Sequence, residues 1–141
     1  MIEIILKRDQ PVSGFTSSDD SQSYTLNSLR LRLNSRPRAW RPPTDVYEGE
    51  DALVVRVEIA GMKDTDFAIS LHGRQLLIVG VRSDMPERRA YFQMEILFGE
   101  FAIEFELPAA VEENHVEAFY RDGFLKVILP KVRSHLIRIE E

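Results

Sequence analysis

The side chains that most often perform catalysis are sparse in this sequence. It contains 141 residues, three of them histidine and none of them cysteine. The absence of cysteine excludes a thiol nucleophile, a disulfide framework and a metal site built on thiolates. His72, His115 and His135 do not follow the H-x-x-x-H spacing that brings two imidazoles to one metal ion. We therefore expect neither a metal site nor a catalytic histidine.

Carboxylates and glycines give no sign of a reaction centre either. Glu104 and Glu106 share one face of a predicted strand, and charges are common on the solvent side of a half-buried sheet. The phosphate-binding patterns G-x-G-x-x-G and G-x-x-x-x-G-K-[ST] are absent from the sequence, so we expect no nucleotide and no other cofactor. The sequence predicts that the protein is not an enzyme. A hydrolase with an unrecognised site stays as an alternative.

Composition indicates a folded domain without a basic surface. Hydrophobic residues make up 44% of the chain and charged residues 29%, which is enough apolar material for a core. Lysine and arginine number 18 against 23 acidic residues, so we expect no nucleic-acid partner. The apolar run at residues 1–6 is interrupted by Glu3 and is too short for a signal peptide or membrane span. We expect a cytoplasmic protein with no membrane partner.

Hydrophobic alternation after Pro43 predicts a series of short β-strands. Apolar residues occupy every second position in residues 53–59, 67–71 and 101–107, and turn residues separate these segments. Residues 75–82 are apolar on both faces, which predicts a strand that is covered on both sides.

The Asp122-Gly123 dipeptide is the clearest turn signal. It lies between two alternating segments, where it predicts a two-residue hairpin turn of type I′. With the other strands, this hairpin predicts an all-β fold in which two antiparallel sheets pack as an immunoglobulin-like β-sandwich.

Three segments do not fit a minimal sandwich. Residues 10–28 are rich in serine and other polar residues, so we expect a flexible arm that cannot bury enough apolar area to become ordered. Residues 82–98 form an insert that is longer than a connection requires, and their apolar content indicates an element that pairs with something. The tail, residues 132–141, carries apolar residues that should find a groove elsewhere.

Several motifs then occur in an order that is typical of one family. Residues 118–125 read Ala-Phe-Tyr-Arg-Asp-Gly-Phe-Leu and fit a hairpin signature, A-x-x-x-(N/D)-G-x-L, through Ala118, Asp122, Gly123 and Leu125. Residues 137–139 form an I-x-I motif. On these motifs the chain resembles the small heat-shock proteins, the Hsp20 family built around the α-crystallin domain. In one departure, Ile103 stands where many members carry an arginine, so a dimer contact through that arginine is not carried over.

The resemblance implies a domain organisation and a function. It implies an α-crystallin domain at residues 40–131, preceded by a partly disordered N-terminal arm at residues 1–39 and followed by the tail. It also implies an ATP-independent holdase chaperone. Such a protein binds partly unfolded client proteins, prevents their aggregation and assembles with itself from dimers into larger homo-oligomers.

Two contacts between subunits are expected. By the same resemblance, the tail motif, Ile137, Arg138 and Ile139, would bind a groove between residues 66–72 and 115–121 of a neighbour, lined by Phe67, Ile69, Leu71 and Phe119. Within the insert, residues 88–96 would pair as a strand with residues 44–48 of another subunit, because the edges of a sheet need covering. The residues expected in this dimer strand are Arg89, Ala90, Tyr91, Phe92, Gln93 and Met94, opposite Asp45, Val46 and Tyr47.

Each of these expectations has a plainer alternative. The tail isoleucines can pack on their own domain, and the groove residues can be ordinary core residues. The arm can be a disordered tail without a role. A p23-like co-chaperone domain, which shares the sandwich but binds a folded chaperone as a monomer, is the rival all-β reading. The tail motif and the long insert argue against the p23-like reading, because both features serve the assembly of an oligomer.

Overall fold

The computed structural model describes residues 2–4, 6–7, 39–87, 89–133 and 139–140. Within these residues the chain forms strands joined by turns, loops and two short 3-10 helices at Asp64–Asp66 and Glu113–His115. The strands are β1 (Ile2–Ile4), β2 (Leu6–Lys7), β3 (Thr44–Glu48), β4 (Ala52–Glu58), β5 (Phe67–His72), β6 (Gln75–Arg82), β7 (Gly99–Glu106), β8 (Glu117–Arg121) and β9 (Phe124–Pro130). The predicted flexible arm at residues 10–28 lies outside the described residues.

The strands form two sheets, as the sequence predicts. One sheet has the order β1-β5-β6-β7 and the other the order β2-β8-β9-β4-β3. Neighbouring strands are antiparallel except for β2, which runs parallel to β8. The predicted all-β sandwich of antiparallel sheets is therefore confirmed.

The core lies between the sheets and follows the predicted alternation. On β4, Leu53, Val55 and Val57 are buried while Arg56 and Glu58 are exposed. Apolar residues from both sheets complete a single cluster, whose buried members are Leu53, Val55, Val57, Ile59, Ile69, Leu71, Leu76, Ile78, Phe101, Ile103, Leu107, Val111, Ala118, Leu125, Val127 and Leu129. Burial of side chains of this size stabilises by roughly 1.5–3 kcal/mol each, so this cluster dominates the stability of the sandwich.

Strand β6 is buried on both faces, as its composition predicts. Leu76 and Ile78 join the core, while Leu77 and Val79 form a second buried cluster on the other face of the sheet. Gly80 pairs in register with Phe101 on β7. A Cβ atom at Gly80 would lie 2.6 Å from Cζ of Phe101 and 2.5 Å from the backbone oxygen of Asp66, so this position requires glycine.

The β8–β9 hairpin has the predicted turn geometry. Arg121 pairs with Phe124, which leaves two residues in the turn, and φ is +51° at Asp122 and +82° at Gly123. Positive φ at both central residues is the type I′ geometry, whose twist matches that of the strands. The Gly123 carbonyl also accepts a hydrogen bond of 2.8 Å from the Ile59 amide, which ties the turn to the end of β4.

Candidate functional site

The outer edges of the two sheets are covered to different extents. Leaving β1 and β2 aside, one sheet ends in β5 and β7 and the other in β8 and β3. Strand β5 pairs with β1 and β8 with β2, while β7 exchanges backbone hydrogen bonds with Trp40. Within the described part of the chain, β3 pairs with β4 alone. Its outer edge is therefore open to a strand from another chain.

The predicted tail groove lies between β5 and β8, and its β5 side belongs partly to the core. Ile69 and Leu71 are buried members of the main cluster, and Phe67 is half-buried against it. The Phe67 ring lies 6.2 Å from that of Phe101 and 5.0 Å from that of Tyr120. Phe67 thus links the groove to the interior.

On the β8 side, the structure corrects the phase of the strand. Ala118 is fully buried and Tyr120 packs against the core, so Phe119, between them, lies on the opposite face. Tyr120 is the aromatic residue that contacts Phe67, and its hydroxyl donates a 2.8 Å hydrogen bond to the Ile59 carbonyl. Sequence reasoning placed Phe119 in the groove because two adjacent aromatic residues leave a period-two pattern ambiguous.

The start of the chain occupies both edges of the groove. Ile2, Glu3 and Ile4 pair antiparallel with Leu71, Ser70 and Ile69 of β5. Leu6 and Lys7 pair in parallel with Ala118 and Phe119 of β8. Sequence reasoning assigned these residues to the arm and missed the pairing. The available signal was the alternation of Ile2, Glu3 and Ile4, which is typical of a strand.

The tail leaves the sandwich beside β9. The Val132 amide donates to the Ala110 carbonyl at 3.2 Å, and Lys131 Nζ lies 3.0 Å from Oε1 of Glu48. Farther along, Ile139 has 86% of its surface exposed and is not packed on its own domain. The other two residues of the predicted tail motif, Ile137 and Arg138, lie outside the described residues.

The loop between β6 and β7, residues 83–98, corresponds to the predicted insert at residues 82–98, whose first residue, Arg82, is the last residue of β6. Its described part contains no strand, and apolar side chains along it are exposed: Met85, Tyr91, Phe92, Met94, Ile96, Leu97 and Phe98. Arg89, Ala90 and Gln93 are exposed as well. The pairing predicted for residues 88–96 requires a second subunit, so it stays a prediction.

Arg82 fastens the end of this loop to the sandwich. Its guanidinium lies 4.6 Å from the ring centroid of Trp40 and 5.3 Å from that of Phe98. Arg82 Nε donates a 2.9 Å hydrogen bond to the Leu97 carbonyl, and Nη2 donates to the same oxygen. These contacts of the Arg82 guanidinium with two aromatic rings and a carbonyl fix the position at which the loop joins β7.

A polar cluster shapes the start of the loop. Arg89 Nη2 lies 3.2 Å from Oδ1 of Asp84, and Arg89 Nη1 donates to the Tyr91 hydroxyl at 3.0 Å. Desolvation raises the pKa of the Asp84 carboxyl, but hydrogen bonds from Met85, Arg89 and Tyr91 and the charge of Arg89 outweigh it. The pKa of Asp84 therefore lies below its usual value, and the carboxylate stays ionised as the acceptor of the cluster.

Strand β3 presents a mixed surface. Val46 packs against the core, whereas Asp45 and Tyr47 lie toward solvent, with Tyr47 43% exposed. Oδ2 of Asp45 lies 3.1 Å from Nη2 of Arg56 on β4. The Val46 side chain anchors β3 to the core, while the outer backbone edge of β3 stays available for pairing with another strand.

Histidines and carboxylates do not assemble into a catalytic or metal centre in the described residues. His72 and His115 are exposed, and His135 lies outside the described part. No group of three or more metal-ligating side chains gathers among the residues described. The helices found there are also too short and too polar to cross a membrane.

Comparison with known proteins agrees with this geometry. The family model described as "Hsp20/alpha crystallin family" matches residues 45–140. Heat shock protein 16 of Schizosaccharomyces pombe is 31% identical over 131 residues, which cover 89% of this chain and 91% of that protein. A probable 15 kDa heat shock protein of Leptospira interrogans is 30% identical over 121 residues, covering 86% of this chain and 92% of that protein.

Solved structures show the same fold. Heat shock protein 16.0 of S. pombe superposes with a TM-score of 0.62 at 28% identity, over 72% of this chain and 96% of that chain. A small heat-shock protein of Xylella fastidiosa gives a TM-score of 0.65 at 22% identity, over 72% of this chain and 95% of that chain. The chain therefore belongs to the Hsp20/alpha crystallin family, whose members are ATP-independent chaperones and not enzymes.

Proposed function

We propose that this protein is a holdase that binds partly unfolded proteins and prevents their aggregation, and that it assembles from dimers into larger homo-oligomers. Family membership supports a chaperone role. The observation that carries the proposed self-assembly is the loop at residues 83–98, whose apolar side chains are exposed beside a sandwich that has already formed its core. Such a surface favours protein partners. A chain without cysteine suits the reducing cytoplasm as the place of this activity.

The dimer forms when the loop of one subunit adds a strand to β3 of another. The loop residues Arg89 to Met94 are exposed, and the outer edge of β3 is open in the described structure. Strand addition satisfies the backbone groups of both partners and lets alternate side chains of the added strand pack on the new neighbour. Asp45, Val46 and Tyr47 are the residues that receive it.

Two aromatic substitutions test this dimer. Phe92 is fully exposed in the loop, whereas Phe124 is 42% exposed on β9 and lies under the guanidinium of Arg56. Replacing Phe92 with Ser should shift the sedimentation of the protein from dimer toward monomer. The matched Phe124→Ser variant should sediment like the parent. A dimer that persists after deletion of residues 88–94 would contradict the pairing.

The tail links dimers into larger particles. Ile139 is exposed on its own domain, and burying two isoleucines contributes roughly 3–6 kcal/mol before ordering costs. That corresponds to an affinity no better than roughly tens of micromolar to several millimolar for each contact, so many such links give a particle that is stable yet exchanges subunits. Replacing Ile137 and Ile139 with Ala should reduce particle size without unfolding the sandwich. Unfolding would indicate that the tail packs on its own domain.

Clients bind mainly to the arm at residues 1–39. This segment combines apolar residues such as Phe15 and Tyr24 with serine-rich sequence, and varied arrangements of apolar side chains favour promiscuous binding. A variant that begins at Trp40 should fold and dimerise but lose most of its protection of a client. Equal protection would place the client surface in the groove of Phe67, Ile69 and Leu71.

The holdase activity itself is tested by light scattering. A dehydrogenase that aggregates on heating is mixed with the protein in the absence of ATP, and an inert protein at the same concentration serves as the control. Scattering should fall as the proportion of this protein rises, and added ATP should change nothing. Scattering equal to that of the control would refute the proposal.

A further inference from the structure

The two edges of the groove between β5 and β8 pair with the chain's own N-terminal segment, of which residues 2–4 and 6–7 are described. Strand β1 extends the sheet beside β5, and β2 extends the other sheet beside β8. One short stretch of chain therefore passes from one sheet to the other across the open side of the sandwich. Packed sheets are about 10 Å apart and six residues span up to about 20 Å, so the length suffices.

The register of β1 coincides with the site that we propose for the tail. Ile2 pairs with Leu71, and Ile4 pairs with Ile69. Each outward backbone N–H and C=O of an edge strand takes one partner in the ladder. A tail that adds itself to β5 therefore cannot bind while β1 is in place.

The two ends of the chain also carry the same pattern. The N-terminal segment contains Ile2-Glu3-Ile4, and the tail contains Ile137-Arg138-Ile139. In both, two isoleucines flank one charged residue. The spacing suits strand addition, because residues two positions apart lie on the same side of a strand.

From the shared register and the shared pattern, we infer that the N-terminal segment competes with the C-terminal tail for one groove. Each groove holds either residues 2–7 of its own subunit or the tail of another subunit, and this inference rests on the proposed tail docking. The segment is tethered to its own sandwich through residues 8–38, and a tethered segment acts at an effective concentration on the order of millimolar, which is comparable to the weak affinity of a single tail contact. If the segment covers about nine tenths of the grooves, the apparent affinity for a tail falls about tenfold.

A peptide titration tests the competition in the full-length protein. Every variant carries Ile137→Ser and Ile139→Ser, so that its own tails do not fill the groove. A fluorescent peptide with the native sequence of residues 134–141 is then titrated by anisotropy. The variant Ile2→Ser with Ile4→Ser should bind the peptide about tenfold more tightly than its parent. The control Glu3→Ala keeps both isoleucines and should bind with an affinity close to that of the parent.

Amide hydrogen exchange along β5 supplies a second measurement that does not depend on the peptide. Loss of both N-terminal isoleucines should speed exchange in β5, whereas Glu3→Ala should leave it unchanged. Equal peptide affinity in all variants, with unchanged exchange in β5, would overturn the inference. If no variant binds the peptide, the proposed tail docking is refuted, and the proposed competition is refuted as well. Hydrogen exchange in β5 would still report whether the N-terminal segment covers the groove.

Discussion

The core of the sandwich and the loop at residues 83–98 contain the same kinds of residue in opposite environments. Phe101 is fully buried between the sheets, where its ring lies 5.7 Å from that of Trp40. Phe92 in the loop is fully exposed. The two sheets therefore complete their core without the loop. The difference separates the hydrophobic residues that build the fold from those that the fold leaves exposed, and we propose that the exposed ones serve association.

The largest effect is expected in the core. Replacing Phe101 with Ala removes a ring that contacts Trp40 and Phe67 and leaves a cavity between the sheets. The free energy of unfolding should fall by about 3–5 kcal/mol, measured by urea denaturation with far-UV circular dichroism. A loss below about 1 kcal/mol would mean that the core repacks and that the contrast with the loop is weaker than we infer.

Adding one carbon atom at Gly80 should be the next most harmful change. The Cβ of Gly80→Ala would lie 2.5 Å from the Asp66 oxygen, so backbone must shift, at a cost of about 1–3 kcal/mol. Gly49→Ala is the matched control, since its Cβ would make an ordinary contact of 3.5 Å with the Ala52 oxygen. Equal melting temperatures of the two variants in calorimetry would contradict the tight packing around Gly80 between β6 and β7.

The Tyr120 hydroxyl should contribute a smaller amount. It donates to the Ile59 carbonyl at 2.8 Å and accepts from the Met62 amide at 3.3 Å. Replacing Tyr120 with Phe keeps the ring beside Phe67 but removes both hydrogen bonds, so stability should fall by about 1 kcal/mol. Phe119→Leu serves as the comparison in the same chemical denaturation. If Phe119→Leu lowers the free energy of unfolding more than Tyr120→Phe does, Phe119 and not Tyr120 lies on the inner face of β8, as the sequence predicts.

In the loop, an aromatic residue should matter far less to the fold. Phe92→Ser should change the unfolding free energy of the sandwich by no more than about 0.5 kcal/mol, because the side chain has no contact with the core. The measurement is made at a dilution at which the parent is monomeric. Destabilisation comparable to that of Phe101→Ala would abolish the distinction between the two regions.

The smallest effect concerns the charge of Asp84. Its lowered pKa means that the folded loop favours the ionised carboxyl, so this contribution is present above the ordinary value of 3.8 and is lost as the pH falls through the lowered pKa. A carboxyl carbon NMR titration should give a midpoint below 3.8 for Asp84. In the Arg89→Gln variant the midpoint should rise. A midpoint at or above the ordinary value in the parent would show that the cluster with Arg89 and Tyr91 does not form in solution.

Local chemistry explains which parts of the fold the sequence predicts. The turn at Asp122-Gly123 depends on two backbone conformations that this dipeptide favours, and the alternation on β4 depends on one buried face. Both signals lie within a few residues of the structure that they predict. The exposure of His72 was predictable for the same reason, because it stands out of phase with Ile69 and Leu71.

Long-range pairing explains what the sequence does not predict. The pairing of residues 2–4 with β5 and of residues 6–7 with β8 joins segments that are distant in the chain, and no local pattern determines which edge an isolated strand will join. On β8, Phe119 and Tyr120 are both large and aromatic, so their order on the two faces is settled by the contact of Tyr120 with Phe67. The roles of the loop and the tail depend on a second subunit and stay predictions.

Trp40 gives this protein a built-in optical reporter. It is the one tryptophan of the chain, it donates from Nε1 to the Gly99 carbonyl at 3.3 Å, and the guanidinium that stacks on it also holds Phe98 at the end of the loop. Indole emission is sensitive to a nearby cation and to water, so movement of the loop on association should change its intensity and wavelength. If the loop takes part in assembly as we propose, intrinsic fluorescence will therefore follow that assembly in real time in the unlabelled, unmodified protein.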